Sequence, residues 1–478
     1  MTNKLRIKEV EFYERDVVFR MPFRFGVITL TEEPQTFARV LVELQNGQEC
    51  WGMAAEVLGP KWFDKNPRLS NEENMQQLRR SLAVAVKIYT LDKGFETPFG
   101  LFSGKYEEQI GSCRSLRMNS LIASYGPALL DRAILDALCR VHGISFYEAI
   151  RTNLVEMQGH PLLPELGRFD FNSFLSGLMP SRRIHARHTV GLSDPISASD
   201  QGEKKVDDGL PETLEEVISF YGNTYFKLKV CGEIDTDLAR LTEIASVLDR
   251  RLERYYVTLD GNEQYQEIGE VEELWTRISN DSGLRRFAEA VLFIEQPLNR
   301  TVALEQDVSG LSRFRPVIID ESDMDLDAFP KAKYLGYRGV SSKQCKGFYK
   351  AIINLGRCLL WNGRHQEARY LMSGEDLTLQ PGLAVQQDLA LASLLGLNHL
   401  ERNGHHYVRG MESLPELEQR AFLNAHPDLY IKDGELVRLQ IQEGVLQIAS
   451  LACPGFASAA EPLWSGMRQV SYDSLLKD

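Results

Sequence analysis

Between residues 187 and 401 the chain repeats one pattern about eight times: a short apolar run, then a longer helix-like run. The apolar runs are RHTVGLSD, YFKLKV, YYVTLDGN, VLFIEQP, PVIIDES, GVSSKQC, RYLMSGED and finally LNHLERNG. Between them lie segments such as DTDLARLTEIASVLDRRL and FYKAIINLGRCLLWNG, whose apolar residues recur every three or four positions. Strands that alternate with helices pair in parallel, and eight such units close into a barrel within an ordinary length. The expected fold class is α/β, a (β/α)8-type, TIM-like barrel. An open doubly wound sheet is the alternative, weakened because no phosphate-binding glycine motif follows any of these strands.

The flanks read differently. Residues 5 to about 58 read as strands, with RVLVELQNGQECWGMAAEV a hairpin turning on Asn46-Gly47. Residues 71 to about 150 read as helices, as in NEENMQQLRRSLAVAVKIY. Strands first and helices after predict a separate α+β capping domain over 1–165. A Pro- and Arg-rich stretch around 161–187 reads as a linker. The barrel is expected over 166–410. A segment over 411–478, with strand candidates DLYIKDG and ELVRLQI, is expected to return to the capping domain.

Composition narrows the class of function. The chain has 478 residues, 43% hydrophobic and 25% charged, which predicts a packed core. A net charge of −13 lacks the basic footprint that nucleic acid demands. The N-terminus MTNKLRIKEVEFYERDV has no continuous apolar stretch of a signal peptide, and no run of about 18 apolar residues predicts a membrane span. Seven scattered cysteines without a C-x-x-C pair read as free thiols. A cytoplasmic location and small-molecule partners are expected.

In a barrel of this kind, catalytic side chains sit at the C-terminal ends of the strands. The second strand ends at Lys227 and Lys229, the third at Asp260 and Asn262, and the fourth at Glu295. The fifth ends at Asp320 and Glu321, and the sixth carries Lys343. Taken singly, K-x-K suits a solvated strand face, and an aspartate at a strand end suits a helix cap. Together they converge on one barrel mouth, where three carboxylates repel unless a cation holds them. Hard oxygen ligands suit Mg²⁺.

This set resembles the enolase superfamily, and within it the muconate lactonizing enzyme-like subgroup of the mandelate racemase/muconate lactonizing enzyme family. The family's K-x-K is similar to Lys227-Leu228-Lys229, its D-x-N to Asp260-Gly261-Asn262, its E-Q-P to Glu295-Gln296-Pro297 and its D-E-S to Asp320-Glu321-Ser322. The segment ALLDRAILDAL resembles the helix that closes the family's N-terminal domain. The strand-six lysine departs from the pattern: SSKQCKG has one glycine where the family has two. The resemblance implies one Mg²⁺ per site, held by Asp260, Glu295 and Asp320. It also implies removal of the proton next to a substrate carboxylate, with the enediolate stabilised on the metal.

On this reading Lys229 and Lys343 are acid/base groups. Lys227 is expected as an electrostatic neighbour whose ammonium favours a neutral Lys229, and as a contact for the substrate carboxylate. Lys346, at an odd offset from Lys343, is expected on the other strand face. Two bases allow racemisation or epimerisation; one allows cycloisomerisation or elimination, as in a dehydratase. A non-catalytic binding barrel and a metal-dependent hydrolase remain alternatives; the latter usually needs an H-x-H strand end that is absent here. Substrate contacts are expected from Arg24, Lys61 and Trp62 in the capping domain and from Glu375 and Asp376 after strand seven. Arg402, His405 and His406 lie near strand eight; the His pair reads as helix-cap or surface residues rather than a metal site. A homo-oligomer is expected.

Overall fold

The computed structural model describes residues 2–25, 28–201, 205–364 and 369–476. The chain opens with three long antiparallel strands, β1 (Leu5–Phe25), β2 (Ile28–Leu44) and β3 (Glu49–Val57). The β2–β3 turn carries Asn46-Gly47, with Gly47 at a φ of 85° that glycine adopts without strain. Helices Asn71–Leu91, Pro98–Ser115 and Ser120–His142 follow. Ser70 and Glu73 form a reciprocal capping box that starts the first of them. Ser120–His142 lies so close to β3 that a Cβ on Gly52 would run into the backbone of Ala133 and Ala137.

Eight parallel strands come next: β4 (Arg183–Val190), β5 (Tyr225–Lys229), β6 (Tyr256–Asp260), β7 (Val291–Glu295), β8 (Val317–Ile319), β9 (Gly339–Ser342), β10 (Leu371–Gly374) and β11 (His399–Glu401). Each pairs with the next, and β11 pairs back onto β4, so the sheet is a closed (β/α)8 barrel with helices between its strands. The alternative open sheet is excluded by that last pairing. The stretch expected as a linker is structured: it holds short helices at Pro164–Leu166 and Phe171–Ser176, and β4 begins at Arg183 within it.

After the barrel, β12 (Tyr430–Asp433) and β13 (Leu436–Leu439) form a hairpin. β14 (Ile441–Gln442) pairs with β15 (Val445–Gln447), and β15 runs antiparallel to the start of β4. β16 (Arg468–Val470) pairs antiparallel with β1, so the tail touches both the barrel and the capping sheet. One apolar core fills the capping region and reaches the barrel helices Phe348–Arg364 and Leu383–Leu394; a second lies between the barrel strands and their outer helices. All seven cysteines are free thiols. Among the described residues no helix is long and apolar enough to cross a membrane.

Register places the chemistry. Lys229 lies opposite Asp260, and Asp260 opposite Glu295, so three charged groups stand side by side on β5, β6 and β7. Lys227 is one layer deeper, opposite Thr258. Side chains two apart on a strand share a face, so both lysines enter the barrel interior.

Candidate active site

Both K-x-K lysines are buried, and the carboxylates come between them. Lys229 Nζ donates to Asp260 Oδ2 at 2.6 Å. Lys227 Nζ lies 2.9 Å from Asp260 Oδ2 and donates to Glu295 (2.9 Å), Glu375 (2.6 Å) and Glu401 (2.9 Å). Burial alone would lower the Lys227 ammonium, but Asp260, Glu295, Glu375 and Glu401 together hold it well above the ordinary lysine value. This corrects the expectation that Lys227 acts on Lys229 chiefly by repulsion. Its charge is spent on four acids, and Asp260 stands against both ammonium groups.

Lys343 follows β9 and lies 3.1 Å from Asp320 Oδ2. Burial opposes its charge, yet the Asp320 carboxylate holds it above the ordinary value. Burial likewise opposes ionisation of Asp320, which Lys343, Lys346 and Lys227 hold below the usual carboxylate range. Glu295 goes the other way. Burial, with the charges on Asp260 and Glu375, pushes it well up against the pull of Lys227.

Lys346 is a second correction. The strand ends at Ser342, and residues Gln344–Lys346 form one 3₁₀ turn. The two-residue alternation therefore stops before Lys346, whose Nζ returns to the site. It lies 2.9 Å from Asp320 Oδ1 and donates to the Asp320 carbonyl and Ser341 Oγ, each at 2.8 Å.

Local backbone fixes the acids. Gln296 and Asn262 both hold positive φ, 32° and 41°, a region that costs a non-glycine residue energy. Gln296 uses that bend to tie β7 to β8: its Oε1 accepts from the backbone N–H of Asp320 (2.8 Å) and Ser322 (3.0 Å). The Asn262 amide N–H donates to Asp260 Oδ1 at 2.8 Å, and its side chain to Glu321 Oε1 at 3.2 Å.

The capping region contributes unevenly. Trp62 is buried with its ring 4.3 Å from Lys343 Nζ and 5.9 Å from Lys346 Nζ. Lys61 turns away and binds the carbonyls of Asn66 and Leu69 in its own loop. Arg24 is exposed; Phe23 beside it reaches the cavity instead. Lys65, which the sequence reading passed over, donates to the Asn262 carbonyl at 2.7 Å and pairs with Glu263 at 2.6 Å.

Glu375 enters the barrel interior, where it meets Lys227 and the fully buried Arg187. Asp376 pairs with Arg402 and accepts from the Asn403 N–H at 3.0 Å. Glu401, on the last strand, was missed, although the rule of charged strand ends that found the other acids applies to LNHLERNG too. The histidines are buried, not surface: His188 Nδ1 and His405 Nε2 are 3.2 Å apart, and the His406 ring stands on His188 at 4.9 Å. Burial holds all three low, with His188 and His406 at about 3.

Lys229 and Lys343 line one cavity of about 40 Å³, together with Phe23, Leu30, Glu33, Trp62, Asn262, Asp376, Glu401 and neighbouring leucines. β5 and β9 are four strands apart in an eight-stranded ring, so the two lysines face each other across it. The donors fit a hard divalent cation in kind: Glu295 Oε2 and Asp320 Oδ2 are buried acceptors without a hydrogen bond of proper geometry. Among the described residues no three acidic, histidine or cysteine groups are gathered closely enough to ligate an ion; lysine ammonium groups stand between the acids.

Neither a protein-family model nor a curated protein sequence matches the chain. Solved structures do. A mandelate racemase/muconate lactonizing protein from Herpetosiphon aurantiacus superposes at TM-score 0.58 with 15% identity, over 96% of this chain and 99% of that one. The muconate lactonizing enzyme from Pseudomonas fluorescens, complexed with muconolactone, matches at 0.58 and 15%, over 97% and 99%. The dipeptide epimerase from Cytophaga hutchinsonii, complexed with Mg and the dipeptide D-Ala-L-Val, matches at 0.58 and 12%, over 97% and 99%. The chain thus has the fold of the mandelate racemase/muconate lactonizing proteins, a barrel with a capping domain built on an antiparallel sheet.

Proposed function

We propose that this protein is an enolase-superfamily isomerase or lyase that removes the proton next to a substrate carboxylate. The observation that carries the reading is the placement of Lys229 and Lys343 on opposite sides of one cavity, with Asp260, Glu295 and Asp320 at the ends of the three strands that separate β5 from β9 in the ring. Asp260, Glu295 and Asp320 would hold one divalent cation such as Mg²⁺, which when bound supplies an electrophile for a carboxylate. The motif set supports this, as does the shared fold.

The residues divide the work. A carbon acid lying between Lys229 Nζ and Lys343 Nζ presents one face to each. For one enantiomer Lys229, as the neutral amine, takes the proton and the Lys343 ammonium returns one to the opposite face. For the other the roles exchange, which requires that Asp320, the carboxylate that keeps Lys343 charged, be taken up by the cation instead. That is racemisation or epimerisation, and cycloisomerisation needs one of the two alone. Lys227, fixed among four carboxylates, is not a base; it holds Glu295, Glu375 and Glu401 in place. Trp62 closes the Lys343 side against water.

The test is proton exchange in D₂O with Mg²⁺ and a panel of carboxylic acids, followed by NMR of the α-proton. Lys229→Met and Lys343→Met should each lose exchange from one enantiomer or stop turnover. Unchanged activity in either variant removes that lysine from the mechanism. Exchange that survives exhaustive chelation removes the metal from it.

A further inference from the structure

One carboxylate of the cavity has no counter-charge among the described residues. Among its charged lining groups, Lys229 is met by Asp260, Lys343 by Asp320, Glu401 by Lys227 and Asp376 by Arg402. Glu33 is 5% exposed, and its Oε1 accepts no hydrogen bond among the described residues. Its neighbour Glu56 is already taken by Arg132 at 3.2 Å. An unpaired buried acid is costly to keep, so a residue of this kind points to a partner that arrives from outside.

Its position says where the partner comes from. Inward-facing residues of β2 run Ile28, Leu30, then Glu33 and Gln35, because the pairing with β1 slips between Val18 and Phe23. The slip turns Glu33 inward, opposite Val17. Leu30 and Glu33 line the inner cavity and also an outer cleft of about 740 Å³, so they form the wall between the two. The inner cavity alone is far below the ~300 Å³ of a small-molecule site. A substrate placed between the lysines therefore extends toward that wall. The outer cleft is acidic: Asp16, Glu32, Glu33 and Glu72 line it with Glu14, against Arg79 and Arg468, both of which are engaged by Glu14. Such a cleft concentrates cations.

We propose that the substrate carries a cationic group, an ammonium or guanidinium, remote from its carboxylate, and that Glu33, with Asp376 behind it, receives that group. The inference rests on the proton-abstraction reading and names its substrate class. Burial, with the charges on Asp376 and Glu56, pushes the empty Glu33 carboxyl well up, and an arriving cation reverses that by pairing with the ionised form.

The experiment uses matched pairs of acids with Mg²⁺ in D₂O: N-acetyl-lysine against N-acetylnorleucine, N-acetylarginine against N-acetylcitrulline, and dipeptides with a free against an acetylated N-terminus. The wild-type protein should favour the cationic member of at least one pair by tenfold or more in kcat/KM. In Glu33→Gln, nearly isosteric and uncharged, that ratio should fall to about one. A wild-type ratio near one, or a ratio that persists in Glu33→Gln, overturns the proposal. If no acid exchanges at all, proton abstraction fails instead. Calorimetric binding of the same pairs then still decides: a cationic preference lost in Glu33→Gln supports the Glu33 site, and equal binding overturns it.

Discussion

Arg132 ties the capping region to the loop that carries Lys343, and Arg132→Met tests how much that tie matters. The guanidinium is fully buried in helix Ser120–His142. Its Nε donates to the Ala128 carbonyl at 3.0 Å, and Nη1 to the Ala55 carbonyl at 3.1 Å and to the side chain of Gln344. Nη2 reaches Glu56 at 3.2 Å. Removing one partner of a buried ion pair costs about 3–5 kcal/mol, because the other charge stays buried. With an unfolding entropy of about 2.1 cal/mol/K per residue, 478 residues give about 1 kcal/mol per degree, so melting should fall by roughly 3–5 °C. Gln344 directly follows Lys343, and a shift of about 1 Å in a reacting group can cost on the order of 100-fold. The expected result is a clear drop in urea midpoint with kcat reduced 10- to 100-fold (roughly, by the same principle) and KM little changed. Arg132→Lys should fall between, since a point charge with three donors cannot span these acceptors. A loss under about 1 kcal/mol with unaltered kcat would refute the reasoning.

Two further outcomes follow from the same geometry. Burial pushes Asp376 up to about 8 and Asp388 up to about 6, although Arg402 pairs with both. Unfolded aspartate titrates near ~3.9, so above that pH the folded state binds more protons at these two sites. Their contribution to stability should fall as pH rises from about 4 through 8, opposite in sign to that of the buried histidines, which folding holds low. Between pH 6 and 8 the Asp376 share is on the order of 2 kcal/mol. Asp376→Asn should remove that contribution, so its urea midpoint should gain on the wild type as pH rises from about 6 to 8; a difference between the two that does not change with pH contradicts the assignment. Trp62→Phe keeps a ring near Lys343, whereas Trp62→Ala removes it and should destabilise by about 3–5 kcal/mol with loss of exchange. Equal exchange in the two variants would show that the ring over Lys343 plays no part.

The barrel is legible because its strand and helix periods alternate without interruption, and because parallel strands buried on both faces are nearly continuous apolar runs. Asp260, Glu295 and Asp320 are legible for the same reason: a charge at the end of an apolar run is conspicuous. What sits around them is not. Lys346 is hidden by the end of β9, where alternation no longer governs direction. The partners of Lys227 lie 148 and 174 residues away at Glu375 and Glu401, so local spacing could suggest only repulsion from Lys229. Glu33 reaches the cavity from the capping region and Lys65 reaches the Asn262 carbonyl beside it, and no periodicity within one segment reveals contacts between distant ones. Glu33 is further concealed by a register slip, which turns an acid inward where simple alternation places it outside.

The pairing of β1 with β16 sets an order of assembly. Phe12 lies opposite Val470, and Tyr472 donates to the buried Glu14, so the first sheet is finished only by residues made after the whole barrel. During synthesis the outer edge of β1 at Phe12, Tyr13 and Glu14 waits for its partner while the whole barrel is translated. An exposed strand edge is a template for pairing with another chain. Expression of this protein should therefore be limited by aggregation of nascent chains rather than by the stability of the finished fold, and conditions that slow translation should lower its soluble yield.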